Sequence, residues 1–263
     1  MEETVKPPRS IHLTAYLLGL AGAALLTALI IRQGAAEVAT AVASAAWALA
    51  AVAALHVAKL LADTIGWLMV IPKGDRLRLR TALWIHWLGE SVSDLLPTAR
   101  IGGDIVTARL AALRGMSLTT AVASMLVDVT ACLFTKIVYT MAGLALLVAA
   151  TGQSDLVEPM AVAALIGVLA IAGFYGVQRL GIFRWGAALA SRLAQSASWS
   201  SLRQGGEMLD LTVQRFYTRR AGVTACCTFA AISWVISAGE IWIALYALGK
   251  PASFTTALIL ESA

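Results

Sequence analysis

Five apolar runs dominate the chain: Leu13 to Ile31, Val38 to Leu61 (continuing towards Ile71), Leu118 to Ala150, Met160 to Val177 and Val223 to Leu248. Each is close to or above the roughly 20 residues a helix needs to cross the ~30 Å hydrocarbon core of a bilayer. In lipid no water satisfies the peptide groups, so a spanning segment must bond its own backbone or join a closed barrel. None of the runs alternates as barrel strands do, so helices are predicted. Charged residues are 13% of the 263, where a soluble domain carries roughly 25%. The expected fold class is an all-α polytopic membrane protein, read as a single integral membrane domain over 1–263. No stretch is polar enough and long enough for a separate soluble enzyme domain.

The basic residues orient the spans. With the N-terminus in the cytoplasm, segments 1–12, 72–115 and 178–220 face inward and hold 16 of the 20 lysines and arginines. The outer loops keep only Arg32 and Lys250. This asymmetry satisfies the positive-inside rule, which matters more here than the net charge of +5. The first run is longer than the 7–15 residues typical of a signal-peptide core, so it is read as an uncleaved span. Segment 182–220 carries Trp185, Trp199, Phe216 and Tyr217 among arginines. It reads as cytoplasmic surface helices touching anionic headgroups, or as an ordinary solvated positive loop.

Segment 81–97, TALWIHWLGESVSDLLP, does not behave as a sixth span. It contains His86, Glu90 and Asp94, and crossing there would invert every later loop. A re-entrant helix is expected over 81–104, ended by Pro97 and turned at Gly102–Gly103; a helix lying flat on the cytoplasmic face is the alternative. The chain closes on SFTTALILESA, where Glu261–Ser262 echo Glu90–Ser91 and TAL recurs. With the fifth span ending outside, this segment would enter from the opposite face. Such half-helices are the mark of an inverted-repeat transporter fold. The expectation is therefore about five transmembrane helices with one or two re-entrant half-helices, in a chain whose C-terminal portion is missing.

Charge inside lipid costs about 2.5–3.5 kcal/mol per residue on insertion scales, so each such residue needs a reason. His56, Lys59 and Asp63 share one helical face, with Lys59 and Asp63 placed to pair or to snorkel. Asp128 and Lys136 are eight residues apart, too far and too rotated to pair with each other, and each needs a partner on another segment or water. Glu240 lies deep between Trp234 and Trp242 and must be protonated, paired or facing a cavity. The densest group is Glu90, Asp94, Arg100, Asp104 and Arg109. Glu90 and Asp94 share a face, which is unfavourable unless a cation sits opposite. Gly102 and Gly103 would let backbone N–H groups approach an anionic ligand beside the arginines. An Arg–Asp clamp holding the hairpin shut would use the same residues.

Several chemistries are excluded. There is no Ser/His/Asp set, no zinc-protease helix motif and no clustered aspartates for a two-metal transferase site, so no catalytic residues, metal or cofactor are expected. Nor is there a nucleic-acid-binding motif, despite the basic balance. Cys132, Cys226 and Cys227 lack metal-ligand spacing and read as small buried groups.

The stretch GESVSDLLPTARIGGDIVTARLAALRGMSLTTAVASMLVD resembles the signature of the flippase-like membrane family that includes the transmembrane region of lysylphosphatidylglycerol synthases. Glu90, Leu95-Leu96-Pro97, Arg100, Gly102-Gly103-Asp104, Arg109 and Gly115 fall in order. It is most similar to the hopanoid-biosynthesis-associated branch. The resemblance implies a multi-pass protein of the bacterial inner membrane that moves or handles lipids, a hopanoid or an anionic phospholipid, with lipid-biosynthesis enzymes as possible partners. Arg100 and Arg109 would contact the headgroup, Asp104 would orient an arginine, and Glu90 and Asp94 would line the path, with Asp128, Lys136 and Glu240 as further pathway residues. A non-transporting scaffold for those enzymes is the rival reading.

Overall fold

The computed structural model describes residues 46–95, 101–152, 157–179 and 199–262, with scattered helical positions between Leu20 and Arg32. The chain divides into two compact units, residues 1–50 and 51–263; the contacts below all lie within the second. The regular elements among the described residues are eight helices. They are α1 (Ala46–Val70), α2 (Leu79–Leu95), α3 (Ile101–Leu113), α4 (Leu118–Thr151), α5 (Val157–Arg179), α6 (Trp199–Thr218), α7 (Arg220–Ala247) and α8 (Phe254–Ser262).

Four of these, α1, α4, α5 and α7, are long and apolar enough to cross a membrane, and they coincide with four of the five predicted spans. The first predicted span lies mostly outside the described residues. The fold is that of an all-α polytopic membrane protein. At 1.5 Å per residue the 34 residues of α4 reach about 51 Å, well beyond the hydrocarbon core. Its ends are set locally. The Ser117 hydroxyl accepts from the Thr120 N–H, and Gly152, at φ +67°, donates its N–H to the Val148 carbonyl.

Contacts between helices fix their directions. Asp128 and Lys136 of α4 meet Cys226 and Trp234 of α7, so these two run parallel. Gly66 of α1 lies against Phe229, and Gly222 against the Met69 carbonyl, so α1 runs antiparallel to α7. In α5, Gly167 meets Ile137 and Gln178 meets Thr130, making it antiparallel to α4. Both orderings agree with spans that cross in alternation.

Lipid tails are as apolar as leucine, so helix association in a bilayer relies on close packing and hydrogen bonds more than on apolar burial. The core is accordingly rich in small side chains. One cluster joins Trp67, Leu68 and Ile71 to Ala82, Ile85, Ala108, Ala111, Met116, Ala121 and Met125. It ties the end of α1 to the hairpin α2–α3 and the start of α4. A second cluster joins Val70, Ala123, Val127 and Ala131 to Val213 and Phe216 of α6 and Cys226 of α7. The buried Trp67 indole donates to the Ser124 hydroxyl at 3.0 Å.

The arginine-bearing end of the bundle closes α1. A helix terminus leaves carbonyls without intrahelical partners. Arg76 Nε donates to the Ile71 carbonyl at 2.8 Å, and Arg219 Nη1 donates to the Val70 carbonyl at 2.8 Å. Burial, and after it the nearby Arg219 charge, lowers the Arg76 pKa below the usual guanidinium value.

A polar centre served by two short helices

The hairpin returns to the end of the bundle from which it starts. Gly89 of α2 faces Gly103 and Thr107 of α3, and Gly103 lies against the Gly89 backbone and Ser93. A side chain at either glycine would collide with its neighbour. This corrects one expectation: Gly102 and Gly103 do not make the turn. Both lie inside the first turn of α3, and Gly103 serves close helix approach instead. The left-handed glycines among the described residues are Gly115, Gly152 and Gly249. The connection between α2 and α3 is 96–100, so Pro97 and Arg100 lie outside the described residues.

The tip of α2 carries Glu90 into the bundle. Lys59 Nζ stands 2.7 Å from Glu90 Oε1 and 3.6 Å from Asp63 Oδ2. Lys59 and Glu90 side chains are only 13% and 12% exposed. The cation needed opposite Glu90 is therefore Lys59, on α1. Asp94, one turn further along α2, is exposed.

Three residues before Lys59, His56 places Nδ1 3.5 Å from Glu240 Oε1 of α7. The deep glutamate is thus paired across helices. On α4, Lys136 donates to the Glu261 carbonyl near the end of α8 at 2.9 Å, and its ammonium lies 4.3 Å from the Trp234 ring centre. Ser262 packs against Gly143 with no room for a side chain there. So α8 leaves the far end of α7, where Trp242 Nε1 donates to the Ala252 carbonyl at 3.0 Å, and its described residues lie against α4.

The hairpin thus brings Glu90 to Lys59 from one end of the bundle, and α8 brings the Glu261 carbonyl to Lys136 from the other. Lys59 of the second predicted span and Lys136 of the third meet different tips. Four buried polar atoms at this level have no hydrogen-bond partner among the described residues: Glu90 Oε2, Tyr139 Oη, Trp234 Nε1 and Glu240 Oε1, the last with only the 3.5 Å approach of His56. Such groups are costly in a low-dielectric interior unless water or another polar group meets them.

Asp128 sits apart from this centre. It is buried and accepts from the Cys226 thiol at 3.3 Å. Asp104 and Arg109 do not join Glu90 either. They line a cavity of about 810 Å³ between α3 and α4, closed on one side by Phe174 of α5.

Two groups escaped the reading of the sequence as site residues. His56, Lys59 and Asp63 were legible as one face, but their partners Glu90 and Glu240 lie on other helices. Gln178, 2% exposed, has no charge to flag it, yet its Nε2 donates to Thr130 Oγ1 at 2.9 Å and its Oε1 accepts from Tyr217 at 2.7 Å. Phe216 and Val213 bury the inner face of α6 in the bundle, so this part of the basic segment packs as well as covers. Residues 180–198 of that segment lie outside the described residues.

Among the described residues no group of three or more histidines, cysteines or carboxylates is placed to hold a metal ion. No curated protein and no solved structure matches the chain. A family model does match, and it covers residues 16–261, nearly all of the spans, the hairpin and α8. The chain belongs to the family described as the lysylphosphatidylglycerol synthase TM region.

Proposed function

We propose that this protein moves polar-headgroup lipids across the bacterial inner membrane, with its N-terminus in the cytoplasm, and that it performs no covalent chemistry. The observation that carries the reading is the Lys59–Glu90 pair, 2.7 Å apart and nearly buried, at the tip of a half-helix inside the bundle. Ionisable residues at such depth are expensive, and in membrane proteins they line pathways. With His56–Glu240 and Lys136 nearby, the centre offers both signs of charge to a headgroup, while the tail stays in lipid. The cargo class is a hopanoid or an anionic phospholipid. Arg100, which lies outside the described residues, is proposed to contact the headgroup. The sequence holds no nucleotide-binding motif, so movement is downhill or driven by a gradient, the membrane potential or another protein.

The test uses the protein in liposomes, with transbilayer movement of headgroup-labelled lipids read by chemical reduction of the outer label. Wild type is compared with Glu90→Gln, Lys59→Met, Arg100→Ala and Asp104→Asn. Loss of movement in Glu90→Gln and Lys59→Met, with the fold retained, supports the reading. Undiminished movement in both sinks it. A wild type that moves no lipid, while its basic 182–220 segment captures lipid-synthesis enzymes, favours the scaffold instead.

A further inference from the structure

The cavity between α3 and α4 is a different place from the polar centre. Its lining is apolar apart from Asp104 and Arg109, and it runs from Leu113 and Leu118 at the arginine-bearing end to Leu133. Along α4, Leu118 to Leu133 is about 22 Å, longer than the ~15 Å half-thickness of the hydrocarbon core. An open-sided groove of about 810 Å³ is within the ordinary range for a bound small molecule. Large apolar side chains stay open along it: Leu113 is 72% exposed, Ile105 63% and Leu118 61%.

The two charges differ in availability. Asp104 is already engaged by other parts of the chain. It also sits in the first turn of α3, where the helix dipole favours an acid. Arg109 is exposed and makes no ion pair or hydrogen bond among the described residues. It lies five residues nearer the arginine-bearing end than Asp104, about 7.5 Å of rise. Arg78, Arg80 and Arg114 are exposed at that same end. A lone arginine about one turn inside the arginine-bearing mouth of an apolar groove, near a cluster of like charges, matches one phospholipid standing in its ordinary orientation.

We infer that this groove is a binding site for a single anionic glycerophospholipid of the leaflet at the arginine-bearing end. One acyl chain lies between α3 and α4, and the phosphate meets Arg109. The site needs only that the chain is embedded in a membrane; it does not depend on the transport reading.

The protein is placed in nanodiscs with spin-labelled phosphatidylglycerol or spin-labelled phosphatidylcholine, and the motionally restricted fraction is measured at equilibrium, where movement between leaflets has no influence. Wild type should restrict phosphatidylglycerol several-fold more strongly than phosphatidylcholine. Arg109→Gln should remove most of that preference. Ala112→Trp fills the groove and should lower the restricted fraction of both lipids. Leu133→Trp narrows the far end at an exposed position, so it tests the groove even if Ala112→Trp fails to fold. Equal restriction of the two lipids by wild type, or a restricted fraction unchanged in both Arg109→Gln and Leu133→Trp, overturns the site.

Discussion

Lys59 and Glu90 are 31 residues apart in the chain and 2.7 Å apart in the fold, on α1 and α2, which are joined at the arginine-bearing end of the bundle. Lys59 also serves Asp63. Removing it leaves two carboxylates without their cation, whereas removing Glu90 leaves Lys59 with Asp63. Breaking a buried pair by deleting one partner costs about 3–5 kcal/mol. Lys59→Ala is therefore expected to lower the melting temperature of the purified protein markedly. Glu90→Gln keeps a hydrogen-bond acceptor and should cost less. A thermal-shift measurement in detergent checks the order; equal losses would mean that the pair is not the main partner of Lys59.

Gly89 and Gly103 let α2 and α3 touch backbone to backbone. A larger residue forces the hairpin apart, and overpacking costs typically about 1–3 kcal/mol or more. Gly89→Val and Gly103→Val should give little folded protein on size-exclusion chromatography. Gly173, with open space around it, should accept alanine with almost no change. Similar yields for all three would remove the close approach as a feature of the folded state.

Lys136 anchors the end of α8 through the Glu261 carbonyl and the Trp234 ring. A desolvated cation–π contact contributes up to about 2 kcal/mol. Lys136→Met should speed hydrogen exchange across residues 254–262, while Lys136→Arg should keep much of the protection. Exchange in this segment that ignores Lys136→Met would show that α8 is held by other contacts, such as Ser262 on Gly143.

Gln178, Thr130 and Tyr217 form a closed set, since the Thr130 hydroxyl itself donates to the Leu126 carbonyl at 2.7 Å. Losing one member strands the others in a buried place, at about 1–3 kcal/mol. Tyr217→Phe and Gln178→Leu should each destabilise. The double variant should cost less than their sum, because the second change removes a group already stranded. Strict additivity in a double-mutant cycle would show that the three do not act together.

The long apolar runs and the one-sided distribution of arginine determined by themselves that this chain is a helical membrane protein, and four of the runs are the helices α1, α4, α5 and α7. Lipid permits so few backbone solutions that hydropathy alone carries this information. The charges of 81–97 and the loop signs argued in sequence against a crossing there, and the fold pairs this segment with α3 as a hairpin. Tertiary structure decided the rest. It placed Lys59 on Glu90, His56 on Glu240 and Lys136 on the end of α8, pairings that depend on how separate helices rotate and slide. It gave Gly103 a packing role, since a glycine pair reads the same in sequence whether it turns the chain or lets two helices touch. It set Asp104 and Arg109 on an apolar groove, away from Glu90, although all three stand within 20 residues. Spacing along one helix reports which residues share a face; only the packing of the neighbours reports what that face meets.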